Sequence, residues 1–308
     1  MPPRYFTCGG LVRSEIEEVT GWLLRRGHAL TAEIITRSSY IEADCRMDIE
    51  QDARYRALLE HLGAHRCKDL SELELERISA TLAVVPSDIT SVVDVGCGDG
   101  RIVGRLPACV HTVGVDYSAN SLHHLERSGV RARSEFLPFR DRSADLVLCC
   151  EVLEHLPDEM FRRTLNELRR ISRKYILTSV PYKENLTLGW IRCPACLTVF
   201  HSWGHLRRFT RRTVKYLFPD FRVSTTTFVG KRPPYRLGPV SAVNQRYGNR
   251  WADWDETSMC PRCGNTRFER TPRNLITMAC GAINVLTSHI IPVSQRNWML
   301  TLFVRARL

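Results

Sequence analysis

Residues 92–100, VVDVGCGDG, constrain the fold of this chain more than any other stretch. Their apolar run, with Asp94 near its end, reads as a buried parallel strand. The glycines after it, Gly96, Gly98 and Gly100, read as a turn into a helix, and without a Cβ they let a backbone approach a ligand closely. Asp94 falls at the carboxyl end of its strand, where open α/β sheets bind ligands. A second acid, Asp116, ends the next strand-like run, HTVGVD. Strand, glycine turn, helix and an acid about twenty residues on make a nucleotide-binding half-unit in which the acid holds ribose hydroxyls. The spacing here is G-x-G-x-G, whereas dinucleotide sites use G-x-G-x-x-G.

The order of the downstream segments sharpens this. GVDYSANSL comes next, then EFLPFRDRSADLVLCCEVLEHLP, then the strand-like KYILTSVPY. Together these resemble the class I S-adenosylmethionine-dependent methyltransferases, in particular the large type 11 branch with a D-x-G-x-G-x-G first motif and an E-V-L-E-H run after the fourth strand. The resemblance covers roughly Leu73 to Val229 plus a closing strand near Trp298. It implies an α/β fold: a seven-stranded, mostly parallel Rossmann-like sheet with helices on both faces.

At 308 residues the chain has room for such a core and for insertions. Its net charge of +11, mostly arginine with no run longer than two, describes a basic surface suited to an anionic partner. The first residues, MPPRYFTCGGLVRSE, lack the apolar core of a secretion signal, and no stretch reaches eighteen uncharged apolar residues. The expectation is a cytoplasmic protein without a transmembrane segment. Its twelve cysteines are then thiols or metal ligands, with Cys149 and Cys150 buried as small hydrophobes.

Along the chain, residues 1–69 read as a mainly helical extension, for instance Glu15 to Arg26. The core is expected over 70–189 and 205–230, interrupted by a first insertion at 190–204 and a second at 231–296, and closed by an antiparallel strand over 297–308. Within the core the pattern predicts a helix over Leu70 to Val84 stopped by Pro86, one from Ser118 to Gly129 and one capped by Asp158. Tyr175 to Val180 reads as the fifth strand, a helix is capped by Thr210, Phe221 to Val229 alternates as a strand, and Asn274 to Ile291 reads as an apolar helix.

The resemblance implies S-adenosyl-L-methionine as cofactor, held by Asp94 and the backbone of Gly96, Cys97, Gly98 and Gly100, with Asp116 on the ribose hydroxyls, Tyr117 beside the adenine and Glu151 nearby. Where many relatives carry an Asp for the adenine amino group, this chain has Arg133, followed by Ser134 and Glu135. A hydroxyl acceptor needs a base, and His155 and His205, with Glu154, are the candidates. The same residues admit another reading. Metal-dependent RNA 2′-O-methyltransferases use two glutamates, the adjacent histidine and a later one, and the chain is similar at Glu151, Glu154, His155 and His205.

Two knuckles, Cys193-Pro-Ala-Cys196 and Cys260-Pro-Arg-Cys263-Gly, form a four-cysteine structural zinc site once brought together, with His201 as a reserve ligand. Arg207, Arg208, Arg211 and Arg212 either meet phosphate or form a solvated face. The tryptophans of the insertions, Trp190, Trp203, Trp251 and Trp254, either stack on a planar substrate or pack the zinc module. The expected protein is a methyltransferase acting on oxygen or nitrogen of a small-molecule, glycan or natural-product-type substrate. Its rivals are the RNA enzyme and a non-catalytic zinc-bearing assembly protein. A small or anionic substrate is favoured over nucleic acid, and the sequence leaves the oligomeric state open.

Overall fold

The computed structural model describes residues 6–7, 57, 60–61, 70–231, 238–249, 251–254, 258–269, 272, 274–290 and 296–306. Most of the expected N-terminal helices, including Glu15 to Arg26, and the stretch 232–237 lie outside the described residues.

A two-residue strand, β1 (Phe6–Thr7), precedes helix α1 (Glu72–Val84). The start of α1 is set by a capping box: the Ser71 hydroxyl accepts from the Glu74 N–H, and the Glu74 carboxylate accepts from the Ser71 N–H at 3.0 Å. The helix stops at Val85, which takes the extended backbone required before Pro86. Next come β2 (Ser91–Val95), β3 (His111–Asp116), the short helix α2 (Ala119–His123), β4 (Ser128–Arg131) and β5 (Ala144–Cys150). Helix α3 (Asp158–Ile171) leads into β6 (Ser172–Pro181), and β7 (Trp190–Arg192) pairs with β8 (Val199–His201) in a separate ribbon. Last are α4 (Arg211–Lys215), β9 (Phe221–Lys231), α5 (Gly238–Tyr247), α6 (Leu275–Ile290) and β10 (Arg296–Arg305).

The main sheet has the order β1-β4-β3-β2-β5-β6-β10-β9. Every pairing is parallel except those of β10, which runs against both β6 and β9. The expected seven strands are therefore present, with β1 as an eighth at the edge. The chain winds outward from β2 through β3 and β4, then returns to place β5 on the other side of β2. That reversal opens a crevice at the carboxyl ends of β2 and β5, the place where such sheets bind ligands.

Both central strands, β2 and β5, are buried along their whole length, so their apolar residues serve two cores. Val93, Val95, Val147 and Cys149 pack with Leu168, Ile171 and Phe303 on one face, while Val92, Leu146 and Leu148 pack with Ile78, Leu122 and Leu125 on the other.

Several boundaries differ from the sequence reading. The helix after Ser118 ends at His123, and Gly129, expected as its stop, lies inside β4 opposite Gly114. Both glycines make room for Leu125: a Cβ at Gly114 would lie 2.9 Å from its Cδ2, and one at Gly129 3.0 Å. Gly129 is thus a packing position in a strand. Ser118 does cap α2, accepting from the Ser121 N–H at 3.2 Å. Asp158 does not cap α3. The cap position is Pro157, and Asp158 sits in the first turn, where its charge suits the helix N-terminus and accepts from Arg207 at 2.8 Å. Among the described residues, no helix is long and apolar enough to cross a membrane.

Candidate active site

The glycine turn is fastened to the neighbouring strand. The N–H groups of Gly96 and Cys97 both donate to the Val115 carbonyl, at 2.7 and 3.0 Å. Gly96, Gly98 and Gly100 all have positive φ, +78°, +57° and +85°, which an L side chain adopts only under strain. Cys97 directs its side chain inward, where its sulfur occupies the space left by Gly114, so only its backbone belongs to the turn.

Asp116 ends β3 with its carboxylate engaged on both oxygens: Oδ2 accepts from the Gly98 N–H and Oδ1 from the Ser118 N–H, each at 2.9 Å. A carboxylate offers about four lone-pair sites, so each oxygen can still accept one hydroxyl. Asp94, on the adjacent strand, is 2 % exposed. Burial, and then the charge of Asp116, push its carboxyl up to about 7, against the opposing pull of Arg77. Tyr117 carries the Arg131 guanidinium 5.3 Å above its ring, and Arg131 pairs with Glu60 of the N-terminal region at 2.6 Å. At the position where an Asp would meet adenine, Arg133 bonds Glu135 and the Ser134 hydroxyl meets Thr164 at 2.8 Å.

At the end of β5 the EVLEH run forms a turn, with the His155 N–H on the Val152 carbonyl. Glu151, at φ +57°, turns toward β6 and β10, where Oε1 accepts from Ser179 and Oε2 from the Trp298 indole, both at 2.6 Å. Glu154 points the other way. It is fully buried, and neither carboxylate oxygen has a hydrogen-bond partner among the described residues. Burial, reinforced by the charge of Glu151, holds its carboxyl well above the ordinary value. The set of Glu151, Glu154, His155 and His205 is therefore not assembled: the last three come within 4.8 Å of one another, and Glu151 is held elsewhere.

A partner for His205 emerges that sequence reasoning missed. Glu184, in the loop after β6, lies 2.6 Å from Nδ1 of His205 through Oε2 and 3.6 Å from Nε2 of His201 through Oε1. Burial raises the Glu184 carboxyl, but the two histidines outweigh it and bring it down to about 2. His201 stacks on His205 at 4.7 Å, and His155 meets His205 edge-on at 4.9 Å. His201 thus belongs to this cluster and not, as expected of a reserve ligand, to the thiols. Nothing in KENL marks Glu184 in the sequence; only the return of β8 toward β6 brings it to the histidines.

The two cysteine pairs do meet. Cys193, Cys196, Cys260 and Cys263 bring their sulfurs within 4.8 Å of one another, with 3.5 Å between Cys193 and Cys263 and between Cys196 and Cys260. The two loops share one geometry. Cys193 N–H bonds the Thr198 carbonyl as Cys260 N–H bonds that of Asn265, and Leu197 N–H returns to Cys193 as Gly264 N–H does to Cys260. Phe200, Phe268 and Trp254 pack the module in a chain of ring contacts at 6.0 Å, while Trp203 lies 6.0 Å from His205. Of the arginines nearby, Arg207 is committed to Asp158 and the Phe161 ring, and Arg211 lies over Phe228.

Residues 93–175 match a protein-family model described as a methyltransferase domain. An uncharacterized protein of Methanocaldococcus jannaschii is 40% identical over 99 residues, 31% of this chain and 42% of its own length. A provisionally named methyltransferase of Encephalitozoon cuniculi is 40% identical over 85 residues, 26% of this chain and 39% of its own. The chain thus spans about two fifths of the length of these curated relatives. Among solved structures, a Haloferax volcanii methyltransferase bound to the activator Trm112 is 16% identical, with a TM-score of 0.46 over 84% of this chain and 96% of that one. The N-methyltransferase NodS of Bradyrhizobium japonicum is 12% identical, with a TM-score of 0.48 over 82% and 99%. Sheet order and the matched domain together give this core the class I methyltransferase fold.

Proposed function

We propose that the chain transfers a methyl group from S-adenosyl-L-methionine to an oxygen or nitrogen of a small-molecule, glycan or natural-product-type acceptor. The observation that carries this reading is the joining of the glycine turn to Asp116, beside buried Asp94, at the point where the sheet reverses. The donor set fits the cofactor. Two carboxylates held so close that one raises the pKa of the other suit a ligand with an ammonium, a sulfonium and a ribose diol. When bound, the cofactor supplies an activated methyl group for in-line displacement.

The residues of the chain position the reactants, an effect worth roughly 7 to 11 kcal/mol of a bimolecular barrier. Asp116 would accept from the ribose hydroxyls and Asp94 would face the cationic end. On the acceptor side, a Glu184 carboxyl near 2 is ionised and can only accept, so Nδ1 of His205 carries the proton. In the neutral form of His205 that arrangement leaves Nε2 as the lone-pair nitrogen, which would take the proton of an acceptor hydroxyl, with His155 packed against the ring. Four thiols with 3.5 Å contacts are close to the roughly 3.8 Å between thiolates bound tetrahedrally at about 2.3 Å, which supports structural zinc at Cys193, Cys196, Cys260 and Cys263.

Labelled methyl transfer into a fractionated cell extract tests the reading. Incorporation into a small-molecule fraction is expected, abolished by Asp116→Ala. The second reading, a metal-dependent RNA 2′-O-methyltransferase, draws on the approach of Glu154, His155 and His205. RNA labelling that chelator removes and manganese restores would favour it.

A further inference from the structure

Helix α6 is amphipathic in the reverse sense to a helix that covers a core. It packs against α5, and the stripe it turns inward is small and polar: Thr277 and Cys280 are buried, and Asn284 and Thr287 follow half-buried at helical spacing. This seat is fixed at its start. The Asn274 carboxamide oxygen accepts from the Thr277 N–H at 2.9 Å, the Thr277 hydroxyl accepts from the Asn274 N–H at 2.8 Å, and the Asn274 amide donates to the Gly248 carbonyl just past α5 at 3.3 Å. The other side is apolar throughout. Every exposed position from 275 to 286 is Leu, Ile, Met, Ala, Gly or Val, and Leu275 is 84 % exposed, Leu286 65 % and Met278 62 %. A contiguous apolar patch of this kind marks a contact surface.

Its chemistry constrains what covers it. A protein partner's interface carries about one hydrogen bond per 100–200 Å², and the exposed side chains of α6 offer no strong donor or acceptor. A bilayer requires none. Sixteen residues rising ~1.5 Å each span about 24 Å, short of the roughly 30 Å of a hydrocarbon core, so the helix suits the membrane surface and not a crossing. The flanking sequence supplies complementary charge. Residues 231–250, which include α5, hold five Lys and Arg, residues 270–296, which include α6, hold three, and neither stretch contains Asp or Glu. At the end of α5 the exposed Tyr247 carries the Arg246 guanidinium 5.6 Å from its ring centroid, an aromatic ring and a cation suited to the headgroup level.

We propose that the outward face of α6, together with the end of α5, seats the protein on an anionic lipid bilayer. The apolar side chains enter the boundary between headgroups and acyl chains, and the basic flanks meet lipid phosphates. This assignment stands independently of the cofactor reading.

Flotation of the full chain with vesicles of phosphatidylcholine alone, or of equal parts phosphatidylcholine and phosphatidylglycerol, tests it. Wild-type protein should float with the anionic vesicles and stay behind with the neutral ones. The double variant Met278→Asp, Leu286→Asp should lower partition onto the anionic vesicles by roughly 100-fold, since burying each side chain of this size is worth about tenfold or more. Both positions are exposed, so its melting temperature should match the wild type. Leu286→Trp, which keeps the face apolar, gives a second readout: added fluorescence that brominated phosphatidylglycerol quenches. Wild-type protein left behind by both vesicles, equal partition onto neutral vesicles, an unaffected double variant or unquenched emission from Leu286→Trp overturns the assignment. A dimer in sedimentation equilibrium that the double variant abolishes would give the face to a second copy of the chain and overturns it as well.

Discussion

The Gly98 N–H donates to Oδ2 of Asp116 across 2.9 Å, joining the turn after one strand to the acid that ends the next. The same carboxylate holds the Ser118 N–H at the start of α2, so a single side chain sets the spacing of turn, strand and helix. Capping and ligand binding are not alternatives for this residue. The two backbone bonds aim its remaining lone pairs.

The glycines of the turn differ in how much they tolerate. A Cβ at Gly100, where φ is +85°, would lie 2.3 Å from Cδ1 of Leu125, whereas one at Gly104 would meet nothing within 4 Å. Gly100→Ala should lower unfolding free energy by about 1–3 kcal/mol, and Gly104→Ala should change it by less than about 1 kcal/mol. Urea denaturation of the two variants measures the contrast.

Asp94 gives stability a pH dependence of definite sign. Its carboxyl is pushed up to about 7 in the fold, from an ordinary value of 3.8. Between these values the unfolded chain has lost the proton that the folded chain keeps, so this residue's contribution is full below about pH 4 and falls as pH rises toward 7. Asp94→Asn should flatten the decline in melting temperature across that window. Cofactor binding should release a proton near neutral pH, seen as a buffer-dependent enthalpy.

The knuckles predict their own pair of substitutions. Leu197 occupies the left-handed backbone, φ +60°, that Gly264 occupies at +72° in the second loop. Leu197→Gly should therefore stabilise the module by relieving roughly 1 kcal/mol of strain, while Cys260→Ser should remove zinc and lower the melting temperature. Elemental analysis and thermal denaturation check both, and purified wild-type protein without zinc would contradict the site.

Glu184 should matter through His205. Glu184→Ala frees Nδ1 from its partner, so 15N spectra should show His205 shifting from one tautomer to a mixture, and Glu184→Gln should preserve the original form. Turnover on an oxygen acceptor should fall by about 10²–10⁴ in the alanine variant with cofactor affinity unchanged. An unaltered tautomer in Glu184→Ala would remove it from the mechanism.

How much of the molecule is legible in the sequence depends on how local each signal is. The turn at Gly96–Gly100 and the acid at Asp116 are written in adjacent residues, and the parallel strands announce themselves as apolar runs, such as the one ending at Cys150. The cysteine pairs are readable because each supplies half of a recognisable ligand set, and the closing strand is readable from the nearly continuous apolar run Trp298 to Val304. Contacts made across the sheet leave no such trace. Trp298 meets Glu151 over 147 positions, and Glu184 meets His205 only because an inserted ribbon folds back. Gly129 misleads for the same reason: a glycine that accommodates Leu125 looks, in one dimension, like a helix stop.

The central claim is that the turn at Gly98 and the acid at Asp116 together hold an adenosyl sulfonium compound. Isothermal titration of the wild-type chain with S-adenosylhomocysteine tests it most directly, with Asp116→Ala as the paired sample. One saturable site in the wild type, lost in the folded variant, is the expected result; no binding to the wild type, or undiminished binding to the variant, would contradict it.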